Sequence, residues 1–285
     1  MSVEKKIWTV LDIIRWGTDF FTTKEVDSPR LTIELLLTEV LSCTRIQLYM
    51  MHDRPLTDKE LAILREYCVR RSKREPLQYI IGNTNFYGYT FSVNSDVLIP
   101  RPETELIIDC ILQYCNANSS IKSIIDLGTG SGCIPITLSK KLDSSFTIKG
   151  IDISSDALTL ARSNSIENEA NVEFEQIDIL KSNVNLAEIV ISNPPYMTKA
   201  DMLDLQPELK YEPEIALTDY SDGLVFYKRI AELLVSQKHH VKAFFLEVRA
   251  ENAGNVENLY QGIANKIHVV KDYSGIERIV WGELD

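Results

Sequence analysis

From Ile121 onward the chain alternates short strand-like runs with helical ones, and this alternation constrains the fold more than any other feature. "SIIDL" reads as a strand and "CIPITLSKKL" as a helix; "FTIKGID" is a strand and "SSDALTLARSNSIEN" a helix. "NVEFEQID" and "AEIVISN" are further strands, "GLVFYKRIAELLVSQ" a helix, "KAFFLEV" a strand and "AENAGNVENLYQGI" a helix, before "KIHVVKDYSGIERIVWGEL" ends the chain. Strand–helix–strand units set consecutive strands parallel, with the helix crossing one face of the sheet. The expected fold class is therefore α/β, a doubly wound, mostly parallel sheet with helices on both faces.

The first part of the chain has a different period. Ile7, Leu11 and Ile14 recur at helical spacing, and the charges in "MSVEKKIWTVLDIIRWG" suit an amphipathic helix better than a signal peptide. Ser28-Pro29 offers an N-cap followed by proline at the first helical position, ahead of "RLTIELLLTEVLSC". Thr57 and Glu60 make a capping box ahead of "LAILREYCVR". "NTNFYGYTFSVNSDVLIP" is rich in aromatic and β-branched residues with Asn and Gly turns, which predicts a short hairpin. "PRPETELIIDCILQYC" then returns to helix. The expected organisation is a helical domain over 1–80, a hairpin linker over 81–100 and the α/β domain over 101–285.

Composition removes several classes of function. At 285 residues and 45% hydrophobic content, the chain is long enough to bury two cores. No apolar run reaches the ~18 residues of a membrane span. The formal net charge of −11 is a poor match for a phosphate backbone, so no nucleic-acid partner is expected. The one basic cluster, "RRSKR" at 70–74, reads as a solvated helix end favoured by the helix dipole. Five cysteines (Cys43, Cys68, Cys110, Cys115, Cys133) form no CxxC pair and read as reduced thiols of a cytoplasmic protein. The four histidines give no metal-ligand spacing, and no metal is expected.

Four motifs carry chemistry, and all fall at carboxyl ends of expected strands, where ligands of open α/β sheets lie. "DLGTGSG", over 126–132, leaves a strand and enters a helix; Gly128, Gly130 and Gly132 permit a tight turn and close backbone approach to a ligand. "GIDIS" supplies Asp152, placed to accept hydrogen bonds from ribose hydroxyls, and "QIDIL" supplies Asp178 and Ile179, which suit an adenine amino group and ring. "NPPY", over 193–196, closes a further strand. Two prolines are tolerable there because the ladder has ended, and they stiffen the corner. A stiff corner can hold the Asn193 amide oxygen and the Pro194 carbonyl as acceptors toward a planar NH2 group, with Tyr196 offering a flat face.

Together, "DLGTGSG", "GIDIS" and "SNPPY" resemble the class I S-adenosylmethionine-dependent methyltransferases that act on planar amino nitrogens: adenine-N6 DNA, guanine-N2 RNA and protein-glutamine enzymes. "REPLQYIIG", "FYGYTFSVNSDVLIPRPETE", "YEPEIAL" followed by "DG", and "KDYSGIERIV" resemble the HemK family, the protein-(glutamine-N5) methyltransferases of peptide-chain release factors. The resemblance covers nearly the whole chain and is weakest over the first ~60 residues. It implies a helical bundle, a β-hairpin linker and a Rossmann-like class I methyltransferase domain whose last strand is antiparallel. It implies S-adenosyl-L-methionine as cofactor, leaving as S-adenosyl-L-homocysteine, and a class 1 release factor as protein partner, methylated on the glutamine of its GGQ motif by a monomeric enzyme. Gly128, Thr129, Gly130, Ser131 and Gly132 would then hold the methionine part of the cofactor, Asp152 the ribose, and Asp178 and Ile179 the adenine, with Asn193 beside it. Asn193, Pro194, Pro195 and Tyr196 would hold the glutamine, with Asn193, Pro194 and Tyr196 carrying catalysis. Phe86, Arg101 and Glu103 would support that pocket. One departure is "LEVRAE", with Arg249 where many relatives carry glycine.

The residues leave rivals open. The same corner could serve a flipped nucleobase in DNA or RNA, a glutamine of a ribosomal protein, or a non-enzymatic cofactor-binding module.

Overall fold

The computed structural model describes residues 6–284, so the first five residues of the expected amphipathic N-terminal stretch lie outside the described residues. The chain divides into two compact units. One takes in the chain up to Gly82 together with Gln206–Tyr211; the other takes in Asn83–Leu205 and the chain from Glu212 onward.

The first unit is helical: α1 (Val10–Thr23), α2 (Pro29–Leu41), α3 (Arg45–Met50), α4 (Asp58–Ser72) and α5 (Leu77–Ile81). Its core collects the apolar faces of these helices, among them Ile13, Phe21, Ile33, Leu36, Leu48 and Leu64. Each such side chain contributes roughly 1.5–3 kcal/mol when fully buried. Helix α1 starts later than the apolar spacing predicts. Thr9 and Asp12 form a reciprocal capping box that fixes the start at Val10, and this leaves Ile7 outside the helix and exposed. The box between Thr57 and Glu60 at the start of α4 is present as expected. Ser28 occupies the cap position of α2 but sits at φ 48°, and its hydroxyl makes no capping bond. The start of α2 therefore relies on Pro29, whose ring presets a helical φ.

The basic cluster at the end of α4 is not a solvated helix end. Arg71 is buried. Arg71 and Arg74 grip the Glu208 carboxylate at 3.0 and 2.7 Å, and Arg70 pairs with Glu75 at 2.5 Å. Glu208 arrives on Gln206–Tyr211, more than a hundred residues away in the chain, so no local pattern signals it. Among the described residues, no helix is long and apolar enough to cross a membrane.

The second unit opens with an antiparallel hairpin, β1 (Asn83–Phe86) and β2 (Tyr89–Ser92), followed by a 3₁₀ turn and α6 (Glu105–Ala117). Then come β3 (Ser123–Leu127), α7 (Cys133–Lys141), β4 (Thr147–Asp152), α8 (Ser155–Glu167), β5 (Glu173–Gln176) and β6 (Ile189–Ser192). After β6 the chain continues through α9 (Glu214–Leu217), α10 (Val225–Ser236), β7 (Ala243–Glu247), α11 (Ala253–Tyr260), β8 (Lys266–Lys271) and β9 (Glu277–Glu283).

The large sheet has seven strands in the order β5-β4-β3-β6-β7-β9-β8. Strands β3 to β7 run parallel, and β9 inserts antiparallel between β7 and β8. Strands β6 and β7 are buried along their whole length, which is why they read as unbroken apolar runs. Successive residues face opposite sides. Ile125, Val190 and Phe244 pack under α10 and α11, whereas Ile124, Ile191 and Phe245 pack under α6 and α7. The chain leaves β3 toward β4 on one side and later returns to its other side as β6. That reversal opens a crevice beyond the carboxyl ends of β3 and β6, the position where doubly wound sheets bind ligands.

Candidate active site

A cavity of about 310 Å³ fills this crevice. Gly128, Thr129, Gly130 and Ser131 line it after β3, Asp152 after β4, Asp178 and Ile179 after β5, and Asn193, Pro194 and Pro195 after β6; Arg101 and Thr104 close it from the approach to α6. The structure thus gathers eleven of the expected site residues around one volume. It leaves four elsewhere. Gly132 caps α7. Phe86 is buried in the hairpin core against Phe91. Glu103 is exposed. Tyr196 packs against the apolar core under α10 rather than lining the cavity.

The glycine turn is locked from below. The Gly128 and Thr129 N–H groups both donate to the Ile151 carbonyl at 2.9 Å. Gly130, at φ 53°, donates its N–H to Asp152 Oδ2 at 2.9 Å, a conformation that costs a residue with a Cβ but not glycine. Asp152 Oδ1 accepts from the Ser154 N–H at 2.9 Å. Asp152 therefore ties the turn to β4 while one edge still faces the cavity. Burial raises its pKa, opposed by these backbone donors.

Asp126 is the residue the motif reading passed over. It sits at the start of "DLGTGSG", is buried, and neither carboxylate oxygen meets a donor in hydrogen-bond geometry. Burial pushes its pKa up to about 7; the Asp152 charge adds to the rise and the nearby Thr129 hydroxyl opposes it. A buried carboxylate without a partner is costly, and Asp126 lies directly beneath Leu127 and the glycine turn that line the cavity. Asp178, by contrast, is held below the usual carboxylate range by Lys181 at 3.0 Å and by the Leu180 N–H.

The Asn-Pro-Pro-Tyr corner is fastened on several sides. Ser192 Oγ donates to the Leu127 carbonyl at 2.6 Å, joining the ends of β6 and β3. The Met197 N–H donates to the Leu217 carbonyl at 2.9 Å, and Thr218 Oγ1 donates to the Met197 carbonyl at 2.7 Å. Gly223 lies so close that a Cβ there would stand 2.5 Å from the Tyr196 carbonyl oxygen. The glycine of "DG" is thus a packing requirement of the corner. Asn193 Nδ2 faces Thr104 Oγ1 at 3.4 Å, and Thr104 Oγ1 donates to Glu247 Oε2 at 2.6 Å.

Glu247 is fully buried, and burial raises its pKa to about 7 against the Thr104 hydroxyl and the Arg278 and Arg101 charges. Tyr196 is within electrostatic reach of Glu247, Arg101, Arg278 and Glu103, and burial raises its hydroxyl to about 12. Arg101 is held by Glu212 at 2.5 Å, and Glu212 also accepts from the Ile99 N–H at 3.2 Å. The sequence motifs "IPRPETE" and "YEPEIAL" therefore meet through one buried carboxylate. Arg249 joins Asp201 at 2.7 Å and Glu251 at 2.9 Å, so it holds the segment that follows the corner.

The lining fits S-adenosyl-L-methionine. The glycine turn, whose backbone reaches the cavity surface, suits an amino-acid moiety, Asp152 a diol, and Asp178 with Ile179 an adenine. Beside that path, the amide of Asn193 and the Pro194 carbonyl suit a planar NH2 group.

Residues 12–82 match the family model described as the PrmC N-terminal domain, and residues 103–210 match that of the methyltransferase small domain. The release factor glutamine methyltransferase of Chlorobaculum tepidum is 38% identical, covering 96% of this chain and 97% of its own. That of Geobacter sulfurreducens is 34% identical over 100% of both chains, and that of Bacillus subtilis is 34% identical over 95% of this chain and 96% of its own. Among solved structures, the catalytic domain of hMettl16 in complex with a MAT2A 3′UTR hairpin superposes with a TM-score of 0.57 at 13% identity, over 82% of this chain and 84% of that one. At that identity the likeness is one of fold.

Proposed function

We propose a function on the premise that the chain belongs to the release factor glutamine methyltransferase family: it transfers a methyl group from S-adenosyl-L-methionine to the side-chain amide N5 of the GGQ glutamine in class 1 peptide-chain release factors. The observation that carries this reading is the Asn193 amide, fixed at a stiff corner and opening into the cavity beside the glycine turn.

The cofactor supplies an electrophilic methyl group on a sulfonium. This chain's residues supply everything else. The glycine turn 128–131 holds the amino-acid end, Asp152 the ribose, and Asp178 and Ile179 the adenine. The Asn193 side-chain oxygen and the Pro194 carbonyl accept the two N–H bonds of the glutamine amide. The nitrogen lone pair of an amide is delocalised into its carbonyl, so the nucleophile is weak. Holding both N–H bonds aims that lone pair and stabilises the positive charge that develops on nitrogen. Orientation of this kind has a ceiling of ~7–11 kcal/mol. The methylated nitrogen is strongly acidic and releases its proton without a dedicated base. Tyr196 acts from behind the corner, where it packs.

The helical unit recognises the folded release factor, and the protein works as a cytoplasmic monomer on a protein substrate. The experiment is mass spectrometry of a release factor incubated with the protein and labelled cofactor. One added methyl on the GGQ glutamine is expected; an unmodified GGQ peptide after prolonged incubation overturns the reading.

A further inference from the structure

Asn193 can do its work only one way round. Its oxygen must face the cavity to accept a substrate N–H, and its nitrogen must face away. Oxygen and nitrogen of an amide are nearly the same size, so shape does not choose between the two orientations. The partner of Nδ2 chooses.

That partner is built from three elements. The pairing of Ser192 with Leu246 across β6 and β7 puts the next residues of both strands, Asn193 and Glu247, side by side at the sheet's carboxyl end. Thr104, at the base of α6, bridges them. Its hydroxyl has one proton, and that proton goes to Glu247 Oε2 at 2.6 Å. Only lone pairs remain toward Asn193, whose Nδ2 stands 3.4 Å away. This is long for a hydrogen bond, as catalytic contacts are before substrate tightens them. An ionised carboxylate accepts only, so with Glu247 ionised the polarity of the chain runs one way: Asn193 donates to Thr104, and Thr104 donates to Glu247.

The anchor is rigid. The Tyr227 hydroxyl donates to the Glu247 carbonyl at 2.7 Å, and the Tyr260 hydroxyl donates to the Tyr227 carbonyl at 2.9 Å. Both rings are fully buried. The Thr104 N–H donates to the Arg101 carbonyl at 3.1 Å. Glu247 does not line the cavity. Burying a carboxylate is expensive, and its side-chain hydrogen bond here comes from the Thr104 hydroxyl beside the corner, with the Arg278 and Arg101 charges adding support.

We propose that Thr104 and Glu247 are positioning residues for methyl transfer, acting through Asn193 by fixing which end of its amide faces the substrate. The inference rests on the function proposed above, and the test separates the two. Thr104→Val keeps the shape and removes the hydroxyl; Thr104→Ser keeps the hydroxyl; Glu247→Gln makes the terminal acceptor ambiguous, because its amide can donate as well as accept.

Two readouts are taken. The first is the side-chain NH2 resonance of Asn193 in isotope-labelled, cofactor-bound protein, which needs no substrate. It is expected to shift in Thr104→Val and Glu247→Gln and to keep its native position in Thr104→Ser. The second is methylation of a release factor. Thr104→Val is expected to lower kcat by about 10- to 100-fold, the scale of a small misplacement, with KM and cofactor affinity near native; Thr104→Ser restores kcat. In an Asn193→Ala background, Thr104→Val adds no further loss, whereas a merely structural role would add its own. Wild-type protein that leaves a release factor unmodified refutes the proposed substrate, and the resonance still decides the positioning role. A native Asn193 resonance in Thr104→Val, or native kcat, overturns the positioning role. If Thr104→Val does not fold, Glu247→Gln and Thr104→Ser decide by the same criteria.

Discussion

Arg101 and Glu212, 111 residues apart in the chain, meet at 2.5 Å where Arg101 lines the cavity. Glu212 also accepts the Ile99 N–H, so one buried carboxylate fastens the approach to α6 onto the chain that leads into α9. Glu212→Ala strips the partner from both groups. The expected loss is ~1–3 kcal/mol of stability, read as a lower denaturant midpoint, with a raised KM for the release factor as the freed Arg101 side chain moves. An unchanged midpoint would show that the pair is decorative.

Asp152 has two duties in the structure, holding Gly130 and Ser154 as well as facing the cavity. Asp152→Ala should therefore weaken cofactor binding beyond the loss of ribose contacts, because the glycine turn loosens with it. Charge-assisted hydrogen bonds contribute ~1.5–3 kcal/mol each in favourable cases. Calorimetric titration with S-adenosyl-L-methionine measures this, and native affinity in the variant would remove Asp152 from the site.

Asp126 makes the cofactor-free protein sensitive to pH. Its ordinary pKa is 3.8 and its folded value is about 7. Between those values the folded protein keeps a proton that the unfolded chain has lost, so stability falls as pH rises through that window and stays low above it. At about 1.4 kcal/mol per tenfold change in proton affinity, the cost of the charged form is on the order of 4 kcal/mol. Asp126→Asn removes the titration. It should melt higher than the native protein at pH 8 and about equally near pH 4. Identical melting curves at pH 8 would contradict the burial argument.

The sequence exposed those parts of the site that local chemistry dictates. A glycine turn after a strand, acidic residues at strand ends and a proline corner each announce themselves within a few residues, and each stands at the cavity. Parts that depend on distant partners stayed hidden. Thr104 and Glu247 are 143 residues apart, and each reads as ordinary helix start or strand end until the sheet register brings them together. Arg71 looked like a solvated charge because Glu208 lies 137 residues away. The family resemblance implied a pocket role for Phe86, and Tyr196 read as a flat face at the corner; strand alternation turns Phe86 into the hairpin core, and the corner's geometry turns Tyr196 toward the core under α10.

The last prediction concerns the corner itself. Asn193→Ala should abolish methyl transfer while fold and most cofactor affinity survive, since Thr104 and Glu247 still satisfy each other and the glycine turn is untouched. Losing one preorganised partner of a transition state typically costs ~10²–10³ in rate. Asn193→Asp asks a sharper question, because it keeps an acceptor oxygen in nearly the same shape. If acceptance from the glutamine N–H were sufficient, that variant would retain activity. The only proton on Thr104 is already given to Glu247, so the second oxygen of the new carboxylate would face a lone pair instead of a donor. It would also stand one hydroxyl away from a buried acid, and like charges at that range disfavour one another. Asn193→Asp should therefore fail as badly as Asn193→Ala. Steady-state methylation of a release factor by both variants decides the matter: an Asn193→Asp rate well above that of Asn193→Ala would mean that the amide nitrogen needs no anchor.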